Sequence, residues 1–218
     1  MRPRNLPADD EANTRETNKR TPSTINQRFS IMVCHGGFAL DEATRRSWYT
    51  PEAILQDLHL GMTFIDIGCG DGFFSILAAK KVGWKGKVYA VDSDASAIEK
   101  LNDKAKTEGL KNIIAKVSAA EETVFCSKCA DFVFFSMVLH DFADPAKVLQ
   151  NAKQMTKPTG RLVDLDWKKQ DIPFGPPIKI RFSEEHASSL IKKAGFQIEG
   201  IKDVGSYHYV VTAKPLPK

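Results

Sequence analysis

Long hydrophobic runs are missing from this chain of 218 residues: no stretch approaches the ~18 consecutive apolar residues of a membrane helix. Its opening, Met1-Arg2-Pro3-Arg4-Asn5, is polar and charged, so no secretory leader is expected and the cytoplasm is the default setting. An excess of one charge is missing too. The 31 Lys and Arg stand among 27 Asp and Glu, a formal net charge of +4, and that balance does not argue for nucleic acid. Cysteine is scarce, with four in all. Cys126 and Cys129 have thiolate-pair spacing, but structural zinc needs four ligands and no second pair exists. The reading is a loop with two free thiols and no metal. No internal repeat or low-complexity tract occurs. With 42% hydrophobic residues, the chain can bury one substantial core and is too short for a second catalytic domain.

What is present is concentrated in Phe64-Ile65-Asp66-Ile67-Gly68-Cys69-Gly70-Asp71-Gly72. An apolar strand ends on alternate glycines and runs into Phe73-Phe74-Ser75-Ile76-Leu77, which reads as strand, tight turn, helix. Glycine there lets a ligand approach the backbone and permits dihedrals closed to other residues. A dinucleotide fingerprint would place a third glycine where Phe73 stands. A second apolar strand, Lys87 to Val91, ends on Asp92, about 20 residues past the loop, where a ribose-binding acid is expected. The loop and acid together suit a ligand with a ribose and no essential diphosphate.

Short apolar runs alternate with helical patterns from Pro51 onward. Helices are expected over 51–58, 72–82, 95–108, 145–155 and 183–194. Strands are expected over 63–67, 87–91, 113–117, 130–136 and 161–165. Continuous apolar strands separated by helices imply a parallel sheet covered on both faces. Two last strands, 197–201 and 207–213, should form an antiparallel hairpin. Residues 1–30 are poor in apolar side chains and mixed in charge, so they read as a disordered polar tail. Residues 31–218 form the single domain, with 31–60 as lid and first helix and 61–218 as core.

With these motifs in order, the chain resembles the class I S-adenosylmethionine-dependent methyltransferases. Asp66 to Gly72 is similar to their first motif, and Val91-Asp92-Ser93 to their ribose-binding strand end. Ala130 to His140 resembles the fourth strand and following loop, and Leu149 to Asp164 the helix, "L-K-P-G-G" turn and fifth strand. The stretch from Phe182 to Phe196 is similar to the ubiquinone/menaquinone and arsenite methyltransferase-like branches. The resemblance implies an α/β, Rossmann-like doubly wound, mostly parallel seven-stranded sheet with a C-terminal antiparallel hairpin. It implies S-adenosyl-L-methionine as cofactor and methyl transfer to a small molecule by in-line displacement. RNA or protein methylation, and non-catalytic cofactor binding, stand as alternatives. Oligomeric state is not legible.

The resemblance also implies the cofactor contacts. Asp66, Ile67, Gly68, Cys69 and Gly70 would meet the methionine part, and Asp92 the ribose. Ser93, Ala119 and Ala120 would meet the adenine, with Ser136 and His140 beside them. Ala119 stands where the family usually has an acid for the adenine amino group, a hydrogen bond worth about 0.5–1.5 kcal/mol. His140 is the candidate catalytic residue, with cofactor contact favoured over a base role. Asp141 reads as a turn residue before the Asp144-Pro145 helix start. His35, Trp48 and Asp166 are substrate-pocket candidates, with Tyr49, Trp167, Tyr207 and His208 near them by position. Trp48 could face the sulfonium or anchor the first helix. A three-thiol arsenic site with Cys34 and Cys69 is open, although no spacing demands it.

Overall fold

The computed structural model describes residues 41–217, together with the backbone of Val33–Cys34 and Phe38–Ala39, which pair antiparallel. The polar tail over 1–30 and His35 lie outside the described residues. Seven strands form one sheet: β1 (Thr63–Ile67), β2 (Lys87–Asp92), β3 (Ile113–Val117), β4 (Ala130–Ser136), β5 (Thr156–Trp167), β6 (Phe196–Val204) and β7 (His208–Pro215). Their order is β3-β2-β1-β4-β5-β7-β6. The first five are mutually parallel, and β7 runs antiparallel between β5 and β6.

Successive side chains of a strand face opposite sides, so a strand covered on both faces must be apolar at every position. Phe64 and Ile65 in β1, and Phe134 and Phe135 in β4, divide in this way between two buried layers. One layer packs under α5 (Pro145–Met155) and α6 (Glu184–Lys193), through Leu149, Ala152 and Ile191. The other holds Phe74, Ala78 and Val82 of α3 (Phe73–Val82). A third cluster seats Ile98 and Leu101 of α4 (Ala95–Thr107) against Ala90 of β2. Local signals start these helices. The carboxylates of Asp94 and Asp144 accept the backbone N–H of Ser96 and Lys147, Pro145 occupies the first turn of α5, and Ser183 Oγ accepts the N–H of His186.

The structure departs from the sequence reading in three places. The expected helix over 51–58 is a single turn, α2 (Pro51–Ile54), and a separate helix, α1 (Glu42–Trp48), precedes it. The cause is the Asp41 cap, whose carboxylate accepts Thr44 N–H at 2.7 Å and starts α1; Leu55 and Leu58 are then buried from a turn. The expected turn Lys157-Pro158-Thr159-Gly160 instead belongs to an extended β5 that begins at Thr156. At Gly160 a Cβ would lie 2.6 Å from the Ala130 carbonyl, so only glycine lets the strand pass there. Cys126 and Cys129, expected as free thiols, are joined as a disulfide. Their Cα atoms are 6.0 Å apart, within the bonding range, because Lys128 turns through φ 50° between them.

Candidate active site

The carboxyl ends of β1, β2, β4 and β5 assemble most of the residues singled out in the sequence. Gly68, Gly70 and Gly72 all have positive φ, at 70°, 54° and 87°, conformations that cost an L side chain about 1–2 kcal/mol. The N–H groups of Gly68 and Cys69 both donate to the Val91 carbonyl, at 2.8 and 3.0 Å, which pins the loop to β2. A Cβ on Gly68 would lie 2.5 Å from Val138 Cγ2. The cradle is therefore closed on one side by the loop that carries His140.

Asp92 ends β2 with both carboxylate oxygens oriented. Oδ2 accepts Gly70 N–H at 2.8 Å and Oδ1 accepts Asp94 N–H at 2.9 Å, which leaves lone pairs for a diol. Asp66 is 1% exposed. Its Oδ2 accepts the Ser75 hydroxyl at 2.6 Å, while Oδ1 has no partner. Burial pushes its pKa up to about 7, against the Ser75 hydrogen bond and the Arg45 charge. An orphaned oxygen below a glycine cradle suits an ammonium group, so these residues fit the methionine end of the cofactor. Cys69 is a buried free thiol, and burial pushes its pKa far up, so it is an inert wall residue.

Ala119 and Ala120 begin a 3₁₀ turn, Ala120–Glu122. Asn151 Nδ2 of α5 donates to the carbonyls of Ala120 and Glu121, at 3.2 and 2.8 Å. Glu121 is tied to Asp144 N–H at 3.3 Å. The turn is thus fixed from α5 without the acid missing at Ala119. Ser93 is exposed beside Asp92, and Ser136 Oγ is buried without a partner at the end of β4.

His140 and Asp166, read separately in the sequence, form one unit. Nδ1 of His140 lies 2.8 and 2.9 Å from the two Asp166 oxygens. Both side chains are 1% exposed. Burial disfavours a charged imidazole, and the Asp166 carboxylate outweighs that, so the His140 pKa lies above its ordinary value. Asp164, two residues back on β5, is fully buried with neither oxygen paired. Burial and the nearby Asp166 charge hold its pKa well above the carboxylate range. Nothing in the sequence signalled that pairing, although two acids at i and i+2 on a buried strand must share a face.

Trp48 stacks on Phe174, centroids 5.7 Å apart, and meets the edge of Trp167 at 5.2 Å. Tyr207 and His208 complete the cluster, so Trp48 anchors α1 on the strand ends. His208 is 0% exposed with both ring nitrogens unpartnered. Burial drives its pKa down to about 3, helped by Arg181, Arg45 and Lys168. Arg181 is buried and donates to the carbonyls of Pro176, Phe174 and Gln170, at 2.7, 2.8 and 3.0 Å. It clips down the β5–α6 link, a role the sequence did not reveal. A groove of ≈ 530 Å³ runs from Tyr49 and α2 past Phe132, Arg161 and Val163 to β6 and β7, and none of Asp66, Asp92, His140 and Asp166 lines it. Among the described residues no group of three or more His, Cys, Asp or Glu could hold a metal, and no helix is long and apolar enough to cross a membrane.

A seven-stranded sheet with a reversed seventh strand, and a glycine cradle facing an acid on the neighbouring strand, define a Rossmann-like methyltransferase fold. Residues 58–208 match the family model described as "Methyltransferase domain", and the chain belongs to that family. It is similar to a solved SAM-dependent methyltransferase from Aquifex aeolicus, with 32% identity, a TM-score of 0.77, and coverage of 81% of this chain and 95% of that one. The cofactor this family takes is S-adenosylmethionine. The ubiquinone/menaquinone biosynthesis C-methyltransferase UbiE of Haemophilus ducreyi is 30% identical over 151 residues, 69% of this chain and 56% of that protein. The demethylmenaquinone methyltransferase of Listeria welshimeri is 26% identical over 126 residues, 58% of this chain and 53% of that protein. The chain thus spans about half the length of these curated relatives.

Proposed function

We propose that the chain transfers a methyl group from S-adenosylmethionine to a small-molecule acceptor. When bound, the cofactor supplies a methyl group on a sulfonium, whose S–C electron pair returns to sulfur as the acceptor's pair forms the new bond. The protein's share is to bind, orient and exclude water. Asp92 holds the ribose, the Gly68–Gly70 backbone admits the methionine part, and the free Asp66 oxygen takes its ammonium. Ser93, Ala119 and Ala120 flank the adenine. Ile67, Cys69 and Ser136 form the walls. Asp166 acts on the substrate side through His140, and Trp48 holds α1 on the aromatic cluster.

The observation that carries this reading is Asp92, with each oxygen oriented by a backbone N–H and one of those donors inside the glycine cradle. A small acceptor is favoured over RNA by the near balance of 31 basic and 27 acidic residues, and by relatives named for quinone methylation. The cytoplasm remains the proposed setting. Incubation with methyl-labelled S-adenosylmethionine and either 1,4-naphthohydroquinone or total RNA tests the reading. Label in the hydroquinone supports it, and label in RNA alone would overturn it.

A further inference from the structure

We infer that His140, gripped by Asp166, takes the proton from the methyl acceptor, and that the acceptor is a neutral nucleophile that must lose one, through an O–H or an activated C–H. The inference rests on the methyl-transfer reading above and names the acceptor class for that same site.

Asp166 straddles Nδ1, with both oxygens within 2.9 Å. An ionised carboxylate only accepts hydrogen bonds, so Nδ1 carries the proton in the neutral ring and Nε2 keeps the lone pair. Asp166 is itself fixed, since its Oδ1 also accepts the Trp167 N–H at 2.7 Å. A histidine held by a carboxylate on Nδ1 keeps its basic lone pair on Nε2, the arrangement a general base needs; here Nε2 faces Asp141 Oδ1 at 3.5 Å.

Backbone geometry supplies an independent observation. Met137 has φ 56°, which costs a non-glycine residue about 1–2 kcal/mol. It is held there by its N–H donating to the Leu165 carbonyl at 2.6 Å. That strained residue follows the last residue of β4, Ser136, and turns the chain into the 3₁₀ turn Leu139–Asp141, which presents His140. Strain held by its surroundings marks positions where a side chain must be aimed. Val138, on the same turn, is the residue a Gly68 side chain would strike, so the base lies beside the cradle.

The groups facing the imidazole are Asp166 from β5, Asp141 from its own turn with Oδ1 3.5 Å from Nε2, and Arg181 from the β5–α6 link. Behind Asp166 stand Asp164 and Tyr209. Asp164 is buried without a partner and burial favours its neutral form, so Asp166 is the acid that faces the imidazole. The proton passes from the acceptor to Nε2. The pair it leaves behind forms the bond to the methyl carbon. Asp141, with its side chain 21% exposed, leads the proton from Nε2 toward solvent. A tertiary amine or a sulfide has no proton to surrender and gains nothing from this device.

The test is made on the full chain. In ¹⁵N-histidine NMR of the wild type, His140 should show Nδ1 protonated and Nε2 bare in its neutral form, with a pKa above that of a free histidine. Asp166→Asn should lower that pKa by about 1 pH unit or more. Acceptor probes are 1,4-naphthohydroquinone and a catechol, set against trimethylamine and dimethyl sulfide, each with methyl-labelled cofactor. Methylation of a hydroxyl or carbon probe that falls about 10²-fold or more in His140→Gln, with a rate rising through the pKa measured by NMR, is expected. Methylation only of the amine or sulfide, or a His140→Gln rate near wild type, would overturn the inference. If the cofactor binds and no probe is methylated, the NMR result decides: the opposite tautomer, or a pKa indifferent to Asp166→Asn, refutes it. Failure to bind S-adenosylmethionine at all would refute the methyl-transfer reading instead.

Discussion

Gly68→Ala puts the first-motif turn under a load whose size follows from the structure. The backbone there has φ 70°, so any side chain costs about 1–2 kcal/mol in the left-handed region. The new Cβ would also lie 2.5 Å from Cγ2, 3.0 Å from Cγ1 and 3.1 Å from Cβ of Val138. Rotating the valine does not clear its own Cβ, so the loop itself must move, which adds about 1–3 kcal/mol of overpacking. The sum is a destabilisation of about 2–5 kcal/mol, read as a shift in the urea unfolding midpoint at constant slope. Val138→Ala in the same chain removes both methyl groups. It should return most of the overpacking part, all but the 3.1 Å contact with the Cβ that alanine keeps, measured against Val138→Ala alone, and leave the dihedral cost. A Gly68→Ala chain within about 0.5 kcal/mol of wild type, or a loss that Val138→Ala leaves untouched, would refute the claim that the cradle and the His140 turn are in contact.

Buried ionisable groups give stability two opposing pH limbs. His208 has a folded pKa of about 3, whereas in the unfolded chain it takes a proton below about 6.5. The unfolded state thus binds more protons in that window, and stability falls as pH drops from 6.5 toward 3, by about 5 kcal/mol at most. His208→Phe should flatten that limb in urea titrations. Asp164 titrates in the other direction: the unfolded chain ionises above about 3.9 while the folded acid stays protonated. Stability is therefore lost as pH rises above about 4, and the advantage of Asp164→Asn should grow over that rise. Iodoacetamide should label neither Cys126 nor Cys129 before reduction, and buried Cys69 only on unfolding, as read by mass spectrometry.

Much of the fold was legible because parallel strands covered on both faces carry a continuous apolar signature and helices end on recognisable caps. Asp66 and Asp92 were legible because each acid closes an apolar run, one just ahead of a glycine turn. His140 and Asp166 were legible one at a time and not as a pair. They are 26 residues apart, His140 on the turn after β4 and Asp166 on β5, and only the β4–β5 register, with Ser136 opposite Leu165, brings them together. The Cys126–Cys129 bond was misread since two cysteines in a loop have no metal partners, and the spacing says nothing of a positive φ at Lys128. The Arg181 clip was hidden because its acceptors are backbone carbonyls, which no side-chain pattern reveals. Helix α1 did carry a signal, Asp41 three residues before Thr44, which the longer apolar pattern beyond Pro51 obscured.

The central claim is that the strand-end cradle holds the cofactor through Asp92, and calorimetric titration with S-adenosylmethionine tests it most directly. Two charge-assisted hydrogen bonds to a ribose are each worth about 1.5–3 kcal/mol. Asp92→Ala should therefore weaken binding at least ~100-fold, while Cys126→Ala, remote from the cradle, leaves it near the wild-type value. Equal affinities for wild type and Asp92→Ala would contradict the site as assigned.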